Sequence, residues 1–243
     1  DDMDGDGLDE LWISMTKGTT DTYCDPPFGG CSSRDGAYLI MGGSLGDDIS
    51  TSLEDAADYT FIGENSSAEA RDIDGDGSPD LMVGAHVNGE VYIFLGSSLG
   101  SDTTLDDRDA DYTIDGTRPG VSVGRGFGYI AAYIDDLDGD GLPEVATADP
   151  VGYDAWDSEG FARIFYSSTI ASDSSLSASD ADIEIENVHE EVINVGDVDG
   201  DGEPDLLVGR DEEHVVLFLS STLTSSASLD TETDADYTFE ASS

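Results

Sequence analysis

The nine residues Asp72-Ile73-Asp74-Gly75-Asp76-Gly77-Ser78-Pro79-Asp80 lead directly into the apolar run Leu81–Ala85. Carboxylates stand at positions 1, 3, 5 and 9 of this stretch, and glycines stand at positions 4 and 6. Carboxylates this close together repel one another unless a cation lies among them. Oxygen donors without His or Cys favour a hard ion, calcium before magnesium. The glycines allow a tight turn that aims the position-7 carbonyl inward. The stretch therefore predicts a calcium-binding turn that opens a strand.

The same pattern occurs four times, and we number the copies loop 1 to loop 4. They cover residues 2–10, 72–80, 136–144 and 197–205, and their first residues are 70, 64 and 61 positions apart. Each copy opens a short apolar run. Four copies in the same arrangement indicate a repeat protein. We place the repeats at about 1–70, 71–134, 135–195 and 196–243, within a single domain.

An EF-hand is the obvious alternative, because its loop also carries acids at positions 1, 3 and 5. That loop requires a bidentate Glu at position 12 and a helix on each side. Position 12 of the four loops is occupied by Ile13, Val83, Thr147 and Val208. A proline at position 8 of three loops further opposes a continuing helix. These prolines are Pro79, Pro143 and Pro204. The pattern therefore rejects the EF-hand.

The first three repeats each contain four segments with strand character, and the fourth contains three. The segments after the loops are Leu11–Met15, Leu81–Gly84, Val145–Ala148 and Leu206–Gly209, and the next apolar segments are Ala37–Met41, Glu90–Leu95, Phe161–Tyr166 and Val215–Leu219. A phrase of alternating apolar and polar residues predicts a half-exposed third strand at Asp55–Phe61, Asp109–Ile114, Asp180–Ile185 and Asp234–Phe239. Segments that precede the next loop lie at Ser67–Ala70, Tyr129–Ile134 and Val192–Val195.

Four short strands in about sixty residues are typical of one β-propeller blade, so we predict an all-β protein of four-stranded antiparallel blades. A sheet this small cannot cover both of its faces, and it buries them against neighbouring blades. We expect aromatic residues of the second strands to fill these contacts. They are Tyr38, Tyr92, Phe94, Phe165 and Phe218.

The composition narrows the range of partners and compartments. The chain has 243 residues with 56 acidic and 8 basic side chains, a formal charge of −48. This charge excludes nucleic acid as a partner. No apolar run approaches the ~20 residues of a membrane span.

The two cysteines, Cys24 and Cys31, stand close together in the sequence. This spacing favours a local disulfide in an oxidising compartment, and a zinc or redox site is the weaker alternative. Weak calcium loops also suit the millimolar calcium outside cells.

Repeat 3 is bordered by Phe127-Gly128, which stands before a predicted strand, and it contains the loop Asp136–Glu144 followed by Ala148-Asp149-Pro150. These three elements resemble the FG-GAP repeat of integrin α-subunit propellers. Repeat 2 has Gly84-Ala85-His86 at the last of these places. Repeat 4 has only Gly209-Arg210 there, and repeats 2 and 4 lack the Phe-Gly element. The recurrent Asp-Ala-Asp-Tyr-Thr phrase is similar to the FG-GAP arrays of large secreted bacterial proteins.

This resemblance implies that each loop joins the two inner strands of a blade and binds one Ca²⁺, about four ions in all. The implied ligands are the four carboxylates of a loop and the carbonyl of its position 7. By loop, these residues are Asp2, Asp4, Asp6, Leu8 and Glu10; Asp72, Asp74, Asp76, Ser78 and Asp80; Asp136, Asp138, Asp140, Leu142 and Glu144; and Asp197, Asp199, Asp201, Glu203 and Asp205. We expect the longer acid at Glu10 and Glu144 to weaken or enlarge those two sites.

The acids recur in every repeat, whereas a glycosidase pair would be unique, so we expect no enzyme. The preferred function is an extracellular calcium-binding module for protein interaction, adhesion or surface structure. Alternatives are an accessory propeller of a secreted hydrolase and a subunit of a filament or sheath assembled by strand sharing. Family propellers usually have seven blades, so we expect either a longer array or completion by another chain. The partner is a protein or carbohydrate of unknown identity, and aromatic residues in 16–34 and 149–159 are candidate contacts.

Overall fold

A computed structural model describes most of the chain outside the first repeat. The described residues are 7–8, 11–15, 36–44, 52–62, 67–85, 88–99, 104–116, 127–149, 160–189, 191–211 and 213–240. Cys24, Cys31 and most of loop 1 lie outside these ranges. The fold of the described part is nearly all-β, with eighteen strands and seven short helical segments of three or four residues.

The strands are numbered in chain order. They are β1 (Leu11–Met15), β2 (Gly36–Ile40), β3 (Tyr59–Ile62), β4 (Ser67–Arg71), β5 (Asp80–Ala85), β6 (Glu90–Phe94), β7 (Thr104–Leu105), β8 (Tyr112–Asp115), β9 (Ile130–Ile134), β10 (Glu144–Asp149), β11 (Phe161–Phe165), β12 (Ser175–Ser177), β13 (Ile183–Glu186), β14 (Val192–Gly196), β15 (Asp205–Gly209), β16 (His214–Phe218), β17 (Ser228–Asp230) and β18 (Tyr237–Glu240). The helical segments are Gly42–Ser44, Leu53–Ala56, Gly96–Ser98, Asp107–Asp109, Ser167–Ile170, Ala178–Asp180 and Ser220–Leu223.

These strands form four separate sheets. The strand orders are β1-β2-β3-β7 in sheet 1, β4-β5-β6-β8-β12 in sheet 2, β9-β10-β11-β13-β17 in sheet 3 and β14-β15-β16-β18 in sheet 4. The first four strands of sheets 2, 3 and 4 are antiparallel, as are β1, β2 and β3. The prediction of blade-like, antiparallel all-β repeats is confirmed. The repeat boundaries stay a prediction.

An additional parallel strand at the outer edge of sheets 1, 2 and 3 was not predicted. β7 pairs with β3, β12 with β8 and β17 with β13, all in parallel. In each case the added strand comes just before the fourth strand of the following sheet: β7 precedes β8, β12 precedes β13 and β17 precedes β18. One leucine of each added strand is buried. These leucines are Leu105, Leu176 and Leu229.

Only the second half of the third-strand phrase is a strand, as at Tyr112–Asp115. A helical turn at Asp107–Asp109 precedes this strand and ends at the first residue of the phrase. The carboxylate of Asp106 accepts the Arg108 N–H, and Asp109 accepts the Asp106 N–H in return. The expectation of one continuous strand was wrong because short acidic side chains cap a helical turn efficiently.

The buried apolar residues of the described ranges form three clusters, and each cluster lies between two consecutive sheets. Leu39 and Phe61 of sheet 1 share a cluster with Leu81 and Phe94 of sheet 2. A second cluster joins sheets 2 and 3, and a third joins sheets 3 and 4. The five aromatic residues predicted to fill such contacts are all buried. Within the described residues, no helix has the length and apolar character needed to cross a membrane.

Candidate metal centres

Loops 2, 3 and 4 occupy the same place in their sheets. Each joins the first strand of a sheet to the second, so that loop 2 connects β4 to β5 and loop 4 connects β14 to β15. Of loop 1, only Gly7 and Leu8 are described, and Gly7 has a φ of +89°. The predicted ligands Asp2, Asp4, Asp6 and Glu10 lie outside the described residues.

The carboxylate at position 1 organises the backbone of each loop. In loop 2, Asp72 Oδ1 accepts the Gly75 N–H at 2.7 Å and Oδ2 accepts the Gly77 N–H at 2.9 Å. Asp136 and Asp197 make the same pair of bonds in loops 3 and 4. The glycines at positions 4 and 6 have positive φ, which is +76° at Gly75 and +90° at Gly77. A glycine is favoured at each place because a side chain is strained in this conformation.

The carboxylates at positions 3 and 5 continue the same network. In loop 3, Asp138 Oδ1 accepts the Asp140 N–H at 3.0 Å, and Asp140 Oδ1 accepts the Leu142 N–H at 2.8 Å. The second oxygen of Asp140 accepts the Ser167 hydroxyl at 2.9 Å, and Asp201 is bound in the same way by Ser220. The hydroxyls come from the turn after the third strand of each sheet. Sequence reasoning missed them, although a serine follows that strand two residues after its end in sheets 3 and 4 and three residues after its end in sheet 2.

The acid at position 9 is fully buried in all three loops. Asp80, Glu144 and Asp205 have 0% exposure. Asp80 Oδ2 accepts the Ile73 N–H and Oδ1 accepts the Gly96 N–H, both at 2.8 Å. Asp205 accepts the equivalent N–H groups of Val198 and Ser220. One carboxylate therefore joins the ends of three neighbouring strands, which is a role beyond the predicted ligation.

Glu144 differs from the two aspartates at this position. Its Oε2 accepts the Leu137 N–H at 2.8 Å, but its buried Oε1 has no hydrogen-bond partner in the described structure. A buried carboxylate oxygen without a partner is costly unless something else satisfies it. Because this oxygen belongs to an acidic cluster, a cation is the ligand that fits it.

The structure brings most of the predicted side-chain ligands together. Ligand oxygens lie within 4.8 Å of one another in three groups, and each group could hold a metal ion. The groups are Asp72, Asp74 and Asp80; Asp136, Asp138, Asp140 and Glu144; and Asp197, Asp199 and Asp205. Asp76 and Asp201 are not among them. The carbonyls of Ser78, Leu142 and Glu203 stay predicted ligands.

The electrostatics of the clusters show the cost of holding these acids together. Burial, followed by repulsion from Asp74 and Asp72, raises the pKa of Asp80 to about 6. Burial, followed by repulsion from the other three acids of its loop, raises the pKa of Glu144 to about 8. By contrast, the Ser78 N–H lowers the pKa of the exposed Asp76 carboxyl. The buried acid thus resists ionisation in the absence of a cation.

A comparison with protein families identifies one of these units. Residues 65–94, which span β4, loop 2, β5 and β6, match the family model of the FG-GAP repeat. This segment is an FG-GAP repeat. A search of curated proteins found no match to the chain.

The FG-GAP repeat contains the whole of the loop 2 cluster. Loops 3 and 4 reproduce the bonds made by its position-1 acid, and they also bury their position-9 acid. Loop 3 lies beside the FG-GAP repeat, because a cleft of about 510 Å³ is lined by residues of both loops. Within this cleft Arg71 forms an ion pair with Asp135 at 2.5 Å, which places one of the few cations of the chain between two acidic loops.

Proposed function

We propose that this chain is a calcium-binding, integrin-like FG-GAP module of the extracellular space, which serves protein interaction, adhesion or surface structure. The observation that carries the proposal is the repeated carboxylate cluster at the turn between the first two strands of sheets 2, 3 and 4. Calcium would hold this turn in shape by neutralising acids that otherwise repel one another.

Calcium fits the donor set better than other common ions. The groups contain carboxylate oxygens without any His or Cys, which disfavours zinc and other transition metals. The backbone N–H groups that bind Asp72, Asp136 and Asp197 hold each loop in place before an ion arrives. Magnesium requires near-ideal octahedral geometry and keeps several waters, whereas calcium accepts irregular oxygen sets.

An extracellular location agrees with the expected affinity. Calcium sites of other extracellular modules bind with dissociation constants of about 10⁻⁴–10⁻³ M, and a similar affinity here would match calcium outside cells rather than inside. The formal charge of −48 further suits a protein that is permanently bathed in divalent cations. FG-GAP repeats are typical of extracellular proteins.

We propose a binding or structural role rather than catalysis. The acids occupy equivalent positions in successive sheets, and the same backbone N–H groups hold the position-1 acid in each described loop. A catalytic acid and base would need two carboxylates in different environments at one place in the molecule. Repetition of one environment is better explained by repeated ion binding.

Titration calorimetry on protein stripped of divalent ions tests the proposal. We expect calcium to bind at about four sites per chain and to raise the melting temperature, and magnesium at the same concentration to bind far more weakly. Asp138→Asn should remove one site from the stoichiometry. Asp107→Asn, which changes an exposed acid outside the loops, is the matched control and should leave all sites in place. Absence of calcium binding, or unchanged stoichiometry in Asp138→Asn, would refute the proposal.

A further inference from the structure

The second aspartate of the third-strand phrase makes the same contacts in all four sheets. One oxygen of its carboxylate accepts, at 2.8 Å, the N–H of the first residue after the neighbouring strand. The carboxylate also accepts the hydroxyl of a serine or threonine three residues further on. It therefore holds one turn in each sheet, which we call the link turn. The link turns are residues 41–44, 95–98, 166–169 and 219–222, and the aspartates that hold them are Asp58, Asp111, Asp182 and Asp236.

In sheet 2 the link turn also binds two acids of the calcium loop. Asp111 accepts the first N–H of the turn, and the N–H of the next residue, Gly96, donates to Asp80 at 2.8 Å. The side chain of Ser97 is hydrogen-bonded to Asp76. Asp76 and Asp80 stand at positions 5 and 9 of loop 2. The link turn thus lies between an aspartate outside the loop and two acids inside it.

Sheets 3 and 4 repeat this arrangement with different donors. In sheet 3, Asp182 holds the link turn, and the Ser167 hydroxyl of that turn donates to Asp140 at 2.9 Å. In sheet 4, Asp236 holds the link turn, and Ser220 donates both its N–H and its hydroxyl at 2.8 Å to acids of loop 4. These acids are Asp205 and Asp201. Because the contact recurs in three sheets although the donors differ, it belongs to the repeat and not to one loop.

We propose that the second aspartate of each phrase is a positioning residue for the calcium loop of its own sheet. It binds no ion itself, but it fixes the turn whose N–H and hydroxyl groups hold the acids of the loop. This inference rests on the proposed function, since it concerns the affinity of the same loops for calcium. Residues that orient metal ligands through hydrogen bonds commonly change metal affinity by about 10–100-fold when they are replaced.

Sheet 2 allows the hydrogen bonds of this aspartate to be separated from its charge. A carboxylate near a loop also attracts a cation through its charge alone. The Leu95 N–H at 2.8 Å and the Ser98 hydroxyl at 2.6 Å both donate to the same oxygen of Asp111, Oδ2. Asn in place of Asp111 therefore keeps one oxygen that accepts both bonds, and it removes the charge.

A calcium titration followed by NMR on the whole chain resolves the loops. The position-6 glycine of each loop donates its N–H to the position-1 acid, so its amide signal reports calcium binding at its own loop. These glycines are Gly77, Gly141 and Gly202. Signals from the other loops serve as internal controls, because a general loss of stability would weaken all sites together.

The variants follow from the contacts of Asp111. Asp111→Ala should weaken calcium binding at loop 2 by at least about tenfold and leave loops 3 and 4 unchanged, and Asp111→Asn should restore most of the affinity. Asp109→Ala is the matched control, since Asp109 is an exposed acid of the same phrase that accepts the Asp106 N–H and does not hold the link turn. Asp182→Ala should give the same loss at loop 3 alone, and it decides the question if Asp111→Ala does not fold. Equal losses in Asp111→Ala and Asp111→Asn, or unchanged affinity in Asp111→Ala, would overturn the proposal.

Hydrogen exchange of the calcium-free protein provides a measurement that needs no ion. We expect the Gly96 N–H, which donates to Asp80, to exchange faster in Asp111→Ala than in the wild type or in Asp109→Ala. If the wild type binds no calcium, the proposed function fails, and this comparison alone decides the positioning role. Faster exchange would then support it, and unchanged exchange would overturn it as well.

Discussion

Replacing Glu144 by Gln removes one buried charge from the loop 3 cluster. The substitution therefore tests how much unfolding free energy that charge costs, separately from the capacity of the cluster to bind an ion. Glu144 is fully buried, and one of its oxygens accepts the Leu137 N–H while the other has no partner among the described residues. Gln keeps an acceptor for the Leu137 N–H and removes the charge. Its amide N–H groups would face carboxylates of the same loop, which are suitable acceptors. The substitution therefore changes charge with little change in shape.

The expected change in unfolding free energy follows from the raised pKa of Glu144. Raising that pKa from 4.5 to about 8 corresponds to a penalty of up to about 5 kcal/mol for the ionised folded form. Because the loop can relax toward solvent, we expect about 2–4 kcal/mol to be measured. The folded pKa lies above the unfolded one. The penalty is thus absent below about pH 4.5, grows as pH rises, and is complete above about pH 8.

Urea unfolding of calcium-free protein at pH 5 and pH 9 is the assay. We expect Glu144→Gln and wild type to have similar unfolding free energies at pH 5, and the variant to be more stable at pH 9. In saturating calcium the order at pH 9 should reverse, because the variant has lost a ligand. Glu232→Gln, an exposed acid outside the loops, should follow the wild type throughout. A difference between variant and wild type that stays constant from pH 5 to pH 9 would refute the reasoning.

Three further substitutions test the loop backbone and the added strands. Gly141→Ala should lower the unfolding free energy by about 1–2 kcal/mol, because Gly141 has a φ of +93°. A Cβ at this place meets no atom within 4 Å, so the backbone conformation alone causes the loss. Thermal melting checks the loss, and an unchanged melting temperature would show that the loop readily adopts another conformation. Leu229→Ala should cost about 2–5 kcal/mol because this side chain is buried between sheets 3 and 4. Leu53→Ala in the corresponding place should cost less than about 1 kcal/mol, because Leu53 begins a helical turn and belongs to no sheet of the described residues. Equal losses by chemical denaturation would contradict the assigned role of β17.

The sequence predicted the loops and the antiparallel strands because both depend on local patterns. An acid at position 1 and glycines at positions 4 and 6 predict the turn that the structure shows. In loop 2, Asp72 accepts the N–H groups of the two glycines, Gly75 and Gly77. Strands β5, β10 and β15 each begin one residue before their predicted starts, because a buried apolar run follows each loop directly.

The additional parallel strands could not be predicted in the same way. β7, β12 and β17 have two or three residues each, which is too short for a periodic signal. Each pairs with a strand more than forty residues earlier, as Leu229 does with Ile185. Their formation depends on the sheet that they complete, and Ser52-Leu53 illustrates this dependence. There the same residue types begin a helical turn that Ser52 caps.

The buried acid at position 9 explains why an ion at a loop would affect a whole sheet. Asp80 stands at the start of β5 and accepts N–H groups from residues just after β4 and just after β6, so it connects three strands through one side chain. A cation beside it would favour its ionised form, in which both oxygens accept these bonds fully. Without a cation, burial and the neighbouring acids favour protonation, and one oxygen then loses acceptor capacity. The ion would therefore stabilise the pairing of β4, β5 and β6 as well as the loop, while the outer edges of sheets 1, 2 and 3 depend on the strand contributed by the next sheet.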